Sequence, residues 1–266
     1  MKLLISRVDR APLIGYGLSL MLWLPGCNFR CPWCCFRDVV LGERVLEITA
    51  DELKRFISEG GVKYIHVTGG EPTLHPNTLE EVFTLARDFD LACSLDTNLS
   101  RPSVLGRLLR RGLLDHVTCD VKAPLSDVAK YSEVTGLNIE VMRDLLRKII
   151  ESLRLLIGSS IDLEIRTVVV PTLISEVDIL KLVQELLELG IDFTKVKYVL
   201  QQYVPVNTLS SHFRGIGKTE PKYLKHIAEL IHEKYGIRVY IRLIDKLLEQ
   251  ARGVSHAESE IEYCIE

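Results

Sequence analysis

The sequence predicts an α/β fold: a partial (β/α)6 barrel of the TIM type over residues 1–206, then a small C-terminal α/β addition over residues 207–266. Three observations lead there. Strand-like and helix-like segments alternate about six times, which implies a parallel sheet. Polar residues gather at the C-terminal ends of successive strands, where a β/α barrel builds its site; a doubly wound sheet fits the alternation too, and this placement favours the barrel. The chain has 266 residues, 47% of them hydrophobic, enough for one large core.

The elements follow in order. Leu18 to Leu24 is an apolar run closed by Pro25-Gly26 and reads as a buried strand. Thr49 and Glu52 form a capping box ahead of a helix whose stripe, Leu53, Phe56 and Ile57, stops at Gly60-Gly61. Tyr64 to Thr68 is a strand. Asn77 and Glu80 form a second capping box, with Leu79, Val82, Phe83 and Ala86 on one helical face. Leu91 to Leu95 is a strand, Arg101 to Arg111 a helix stopped by Gly112, and His116 to Val121 a strand. Asn138 opens a long helix carrying Met142, Leu145, Leu146, Ile149, Ile150 and Leu153 at helical spacing. Leu163 to Val170 is a β-branched strand closed by Pro171, Ser175 caps a helix running to Gly190, and Val196 to Val204 is the sixth strand. Beyond it lie a helix near Pro221 to Tyr235, a strand near Arg238 to Ile244, and an acidic, loosely held end from Ala257 to Glu266.

Composition removes several function classes. No run of ~18 or more apolar residues appears, so no membrane span is expected. The stretch Met1 to Arg7 turns charged too early for a signal peptide. A net charge of −3 does not suit a general nucleic-acid binder. Seven cysteines, an odd number, argue against a disulfide framework and for metal ligands in a reducing cytoplasm. Scarce Asn and Gln beside plentiful Glu, Lys, Arg and Ile lean toward a heat-adapted source.

Cys27-Asn28-Phe29-Arg30-Cys31-Pro32-Trp33-Cys34 places three thiolates in one short loop. A closed zinc site wants four ligands and would recruit Cys35 or a distant residue. Three thiolates on a 4Fe–4S cluster leave one iron open to a small molecule. Thr68-Gly69-Gly70-Glu71-Pro72 follows the second strand. Its glycines let the backbone approach a ligand, and Glu71 can accept from an ammonium group; the plainer alternative is a Gly-Gly turn with a solvated glutamate. Asp96-Thr97-Asn98 ends the third strand and Asp120-Val121-Lys122 the fourth. These groups suit a ligand with a carboxylate and a ribose, or a hard monovalent cation. Alternatively, Asp96 and Asn98 cap the next helix and Lys122 is solvated. Arg166 lies inside an apolar strand, where a charge is costly unless paired. Alternation puts it on one face with Glu164, and it suits either a ligand carboxylate or a structural acidic partner. Cys93, Cys119 and His66 read as core residues, and Cys35 as a spare ligand or a core thiol.

With Trp33 before its last cysteine, the loop resembles the signature of the radical S-adenosylmethionine enzymes, and Gly69-Gly70-Glu71-Pro72 matches their GGEP motif. The resemblance spans roughly Leu18 to Pro205. It implies that Cys27, Cys31 and Cys34 hold one 4Fe–4S cluster whose open iron chelates S-adenosylmethionine, and that Gly69 to Pro72 holds the methionine amino group. An electron from a flavodoxin or ferredoxin would then yield a 5′-deoxyadenosyl radical. The strand ends resemble those of glycyl-radical activating enzymes, especially that of pyruvate formate-lyase. That likeness implies a monovalent cation on Asp96, Thr97 and Asp120, and S-adenosylmethionine contacts from Lys122 and Arg166, with Trp33 beside the cofactor. Gln201-Gln202-Tyr203-Val204-Pro205 resembles the activating proteins of anaerobic ribonucleotide reductase, in which histidine commonly stands at the position of Cys35. The pyruvate formate-lyase activating enzyme has a histidine after its sixth strand; Gln202 stands nearest that place here. The implied partner is a glycyl-radical enzyme in an anaerobic cytoplasm. A peptide or small metabolite is the alternative substrate, and a non-catalytic iron–sulfur or zinc module the alternative class.

Overall fold

A computed structural model describes residues 2–13, 16–251 and 258–265. They form two compact units. The first comprises Met1–Phe29, Phe36–Cys119 and Arg147–Asp162; the second comprises Arg30–Cys35, Asp120–Leu146 and Leu163–Glu266.

The first unit is built on strands β1 (Lys2–Ile5), β2 (Arg7–Leu13), β3 (Gly17–Leu24), β4 (Leu46–Thr49), β5 (Tyr64–Gly69), β6 (Ala92–Thr97) and β7 (His116–Asp120). β3, β5, β6 and β7 pair in parallel in that order. β2 runs antiparallel along the other side of β3, and β1 with β4 makes a separate antiparallel ribbon. Strands covered on both faces need apolar side chains at nearly every position, and Leu20, Leu22, Leu24, Ile65, Val67, Cys93, Leu95, Val117 and Cys119 are all buried. The polar groups among them are paired: Nδ1 of His66 and Nδ1 of His116 both lie 2.8 Å from Ser94 Oγ.

Helices α1 (Arg37–Leu41), α2 (Ala50–Ser58), α3 (Pro76–Arg87) and α4 (Pro102–Arg110) belong to this unit. The capping box on Thr49 and Glu52 forms as expected. The one on Asn77 and Glu80 does not. Pro76 has a preset φ and no N–H, so it takes the first helical position and draws Asn77 into the first turn. Glu80 turns instead to Arg107 and Arg111, the latter at 2.6 Å.

The second unit contains α5 (Val128–Thr135), the start of α6 (Ile139–Ile157), β8 (Asp162–Val169), α7 (Glu176–Glu188), β9 (Lys197–Gln202), α8 (Ser211–Arg214), α9 (Pro221–Tyr235), β10 (Val239–Arg242), α10 (Ile244–Ala251), α11 (Glu258–Ile261) and β11 (Glu262–Ile265). β8, β9 and β10 are parallel neighbours, and β11 closes on β10 antiparallel. Asn138 Oδ1 accepts from Val141 N at 2.9 Å, and Ser175 with Asp178 forms a full capping box, as their positions suggested. No helix among the described residues is long and apolar enough to cross a membrane.

The acidic end is not loosely held over Glu258 to Ile265; Ala257 and Glu266 lie outside the described residues. Glu262 accepts from Arg242 Nε at 2.7 Å and from Lys197. Arg242 also grips Glu164 with both terminal nitrogens, at 2.7 and 2.8 Å. Two acids and two bases, Glu164 and Arg242 of them buried, thus neutralise one another. Burial alone would raise the Glu164 carboxyl, but Arg242 outweighs it and brings it down to about 2. Replacing Arg242 by Met leaves two carboxylates facing one ammonium, and urea unfolding is expected to show a loss of about 3–5 kcal/mol. Since the folded carboxyl sits below its ordinary value, its stabilisation is complete above about pH 5 and declines as the pH falls toward 2. The melting temperature of Glu164→Gln is expected to lack that part of the acid dependence.

Candidate functional site

In the first unit the site begins where β5 runs into Gly69 and Gly70. Gly70 N donates to Leu24 O at 3.0 Å, and Glu71 N to Gly26 O at 2.8 Å. Gly69 holds φ at +129°, and a Cβ there would overlap the backbone of Leu24; a Cβ on Gly70 would overlap the Gly26 carbonyl. The glycines do serve a close approach, as expected, but what approaches is the protein's own turn into the cysteine loop.

Glu71 is held by protein groups. It is fully buried. Its Oε1 accepts from Thr73 N at 3.0 Å, Thr73 Oγ1 at 2.5 Å and Thr97 Oγ1 at 2.9 Å, and its Oε2 accepts from Asn98 N at 2.6 Å. The carboxylate faces inward on four protein donors. Burial pushes the carboxyl up, against the pull of those donors. Pro72, also buried, opens the short 3-10 turn Pro72–Leu74 that delivers Thr73.

At the end of β6, Asp96 Oδ2 accepts from Thr68 Oγ1 at 3.0 Å and lies 3.5 Å from His66 Nε2. Thr97 Oγ1 gives its proton to Glu71 and accepts from Leu99 N at 3.1 Å. Asn98 does not cap α4, whose capping position is Arg101. Its Oδ1 accepts from Ser100 N at 3.0 Å, and its Nδ2 donates to Asn28 Oδ1 at 3.0 Å and to Cys27 Sγ at 3.8 Å.

In the second unit the loop from Arg30 to Cys35 is clipped at several points. Arg30 N donates to Thr135 O at 2.9 Å and Trp33 Nε1 to Val134 O at 2.9 Å. Ser210 N donates to Pro32 O at 2.8 Å and Leu209 N to Cys34 O at 3.1 Å. Nearby, Asp120 accepts from Lys122 Nζ at 2.9 Å and from Arg166 Nε at 2.7 Å. The Lys122 ammonium lies 5.4 Å from the centre of the Trp33 ring, a cation–π contact, and its backbone N donates to Tyr131 Oη at 3.2 Å. Burial pushes the Lys122 ammonium down, but Asp120 and the Cys31 sulfur outweigh it and its pKa rises. Burial likewise pushes Asp120 up, and Arg166 with Lys122 brings it below its ordinary value.

Of the groups expected to hold a monovalent cation, Asp120 carries Lys122 and Arg166, and the Thr97 hydroxyl is engaged with Glu71. Gln202 does not stand in for a histidine: its Nε2 donates to Thr219 O and its Oε1 accepts from Asp245 N, both at 3.0 Å.

The chemistry of the cysteines suits a cluster. All seven are free thiols. Cys27 Sγ takes N–H bonds from Phe29 at 3.3 Å and from Asn98, and the Cys31 sulfur lies close enough to the Lys122 ammonium to help raise that lysine. Cys35, half-buried, is different: burial, with Cys34 beside it, pushes its thiol up to about 12. Tyr131, beside Lys122, is a polar group that the sequence did not single out.

The Radical SAM superfamily profile matches residues 21–183. The chain belongs to the radical S-adenosylmethionine superfamily. Its cofactors are accordingly a 4Fe–4S cluster and S-adenosylmethionine. A protein of Methanocaldococcus jannaschii, provisionally named a glycyl-radical enzyme activating enzyme, is 28% identical over 94% of this chain and 100% of its own length. A GTP 3′,8-cyclase of Pyrococcus horikoshii, its name also provisional, is 32% identical over 52% of this chain and 42% of its own. Among solved structures, Streptococcus suis SuiB bound to the precursor peptide SuiA superposes with a TM-score of 0.58 at 14% identity, over 90% of this chain and 53% of that one. The chain therefore spans about half of the SuiB structure and less than half of the cyclase. The α/β fold with its parallel sheet is the partial-barrel fold of these enzymes, as the sequence indicated.

Gly70→Ala is expected to force Leu24–Gly26 away and lower the iron bound per chain after anaerobic reconstitution, while Cys31→Ala should bind none as a 4Fe–4S cluster. Glu71→Gln turns an amide nitrogen toward donors and is expected to cost about 1–3 kcal/mol in chemical denaturation.

Proposed function

We propose that this chain activates a glycyl-radical enzyme by removing a hydrogen atom from a glycine Cα of that partner. The observation that carries this reading is the end-to-end match to the M. jannaschii protein, which leaves no large part of either chain unaccounted for. Cys27, Cys31 and Cys34 are the proposed cluster ligands. The chemistry supplied by the bound cluster and S-adenosylmethionine, given one electron, is reductive cleavage of the sulfonium to methionine and a 5′-deoxyadenosyl radical. A flavodoxin or ferredoxin in the cytoplasm is the proposed electron source.

The chain's own residues have simpler tasks. Asp120 orients Lys122 and Arg166, and these two cations are the proposed contacts of the methionine carboxylate. The backbone from Gly69 to Pro72 is the proposed seat of the amino group, with Glu71 holding that backbone rather than the ligand. Asp96, steadied by Thr68, is the proposed partner of the ribose hydroxyls. A peptide or small-molecule substrate is the second reading, supported by the partial match to the cyclase and by the likeness to a peptide-bound enzyme.

The test is anaerobic. The reconstituted, reduced protein is mixed with S-adenosylmethionine and a glycyl-radical ribonucleotide reductase, and the radical is read by electron paramagnetic resonance while 5′-deoxyadenosine is counted by chromatography. Glycyl radical appearing in step with 5′-deoxyadenosine is expected. Cleavage with no radical on the partner would overturn the proposed substrate and leave the chemistry intact. Arg166→Gln is expected to weaken S-adenosylmethionine binding ~10- to 100-fold at unchanged iron content, measured by equilibrium binding.

A further inference from the structure

Asn98 has a role that neither the family membership nor the proposed substrate supplies. An asparagine can be turned either way, but its neighbours fix this one. Ser100 N is a donor and lies 3.0 Å from one end of the amide, so that end must be the oxygen. The other end, Nδ2, then faces Asn28 Oδ1 at 3.0 Å and Cys27 Sγ at 3.8 Å. Asn28 is fixed in turn, because its own Nδ2 donates to Ser100 Oγ at 2.9 Å. The backbone of Asn98 is anchored separately, by its N–H on the buried Glu71 carboxylate. All of these residues lie in the first unit. The amide is therefore oriented at both ends, by Ser100 N and Asn28 Oδ1, and its remaining donor direction is toward a sulfur that the proposed function makes a cluster ligand.

We infer that Asn98 is a positioning residue whose Nδ2–H, together with the Phe29 N–H, sets the reduction potential of the 4Fe–4S cluster through the Cys27 sulfur. The physical reason is charge. One-electron reduction adds a negative charge to the cluster and part of it resides on the thiolate sulfurs. A hydrogen bond to sulfur therefore stabilises the reduced form more than the oxidised form and raises the potential. The Phe29 contribution is backbone and survives substitution; the Asn98 contribution does not.

The test is a mediated titration of reconstituted protein with dithionite, without S-adenosylmethionine, followed by electron paramagnetic resonance of the reduced cluster. Asn98→Asp keeps the oxygen that Ser100 needs and replaces the donor by a negative oxygen; Asn98→Ala removes both ends. At the wild-type midpoint, the ratio of reduced to oxidised cluster is expected to fall at least threefold in Asn98→Ala and about tenfold in Asn98→Asp, the latter equal to ~59 mV for a one-electron couple. A purely structural Asn98 would change stability and leave that ratio alone. A ratio within about threefold of wild type in Asn98→Asp at full iron content, or a rise in it, would overturn the inference. If Asn98→Ala fails to assemble, Asn98→Asp decides alone; if neither assembles, Asn28→Ser, which frees the amide without altering it, decides by the same threefold criterion. Retention of the intact cluster by Cys27→Ala would instead show that Cys27 is not a ligand, a failure of the cluster assignment and not of the Asn98 chemistry.

Discussion

Glu71 is a carboxylate buried away from water, and the surrounding chain is arranged to make that tolerable. Leaving such a group without partners costs several kcal/mol, so donors must be brought to it. Thr73 supplies two from the turn after β5, and Thr97 and Asn98 supply one each from the end of β6. The carboxylate thereby ties two neighbouring strand ends together. The Gly69-Gly70 backbone, pressed against Leu24 and Gly26, ties the same place to the end of β3. Three strand ends in the first unit are fixed by one charged group and one pair of glycines, and the position of Cys27 follows from them.

Two groups of buried charge in the second unit invite comparison. Glu164, Glu262, Lys197 and Arg242 balance at two against two, and every charge has a partner within the protein. Asp120, Lys122 and Arg166 balance at one against two. A closed quartet has nothing left with which to attract a ligand and serves to hold β11 against β10. The triad is not isolated from its surroundings: Arg166 also helps to lower the Glu164 carboxyl, and the Cys31 sulfur helps to raise Lys122.

Much of the fold could be read in advance because parallel strands covered on both faces write themselves as apolar runs; β3, β5, β8 and β9 are of this kind. The N-terminal strands could not. β2 carries Arg7, Asp9, Arg10 and Pro12, a composition that reads as coil until its antiparallel partner β3 is known. Helix α5 carries the β-branched residues Val128, Val134 and Thr135 and a short, mixed face, so helical periodicity is faint there. In the site, the cysteines, Asp120, Lys122 and Arg166 stood out as charges or thiols in surroundings that discourage them. The inward turn of Glu71 and the reach of Asn98 to Cys27 did not, since hydrogen bonds between residues far apart in the chain leave no local trace. Asn98 looked like a helix cap because Asn usually is one before such a segment; Pro102 had already taken the start of that helix.

The loop bearing Cys31 and Cys34 is held by bonds that come from protein alone. Its backbone and the Trp33 indole are fastened to α5 at Val134 and Thr135, and residues 209 and 210 secure it from the other side. A loop already confined in this way would give up little conformational freedom on receiving the proposed cluster. Without iron and sulfide its backbone is still tied to α5, so assembly would start from an ordered loop instead of a random coil.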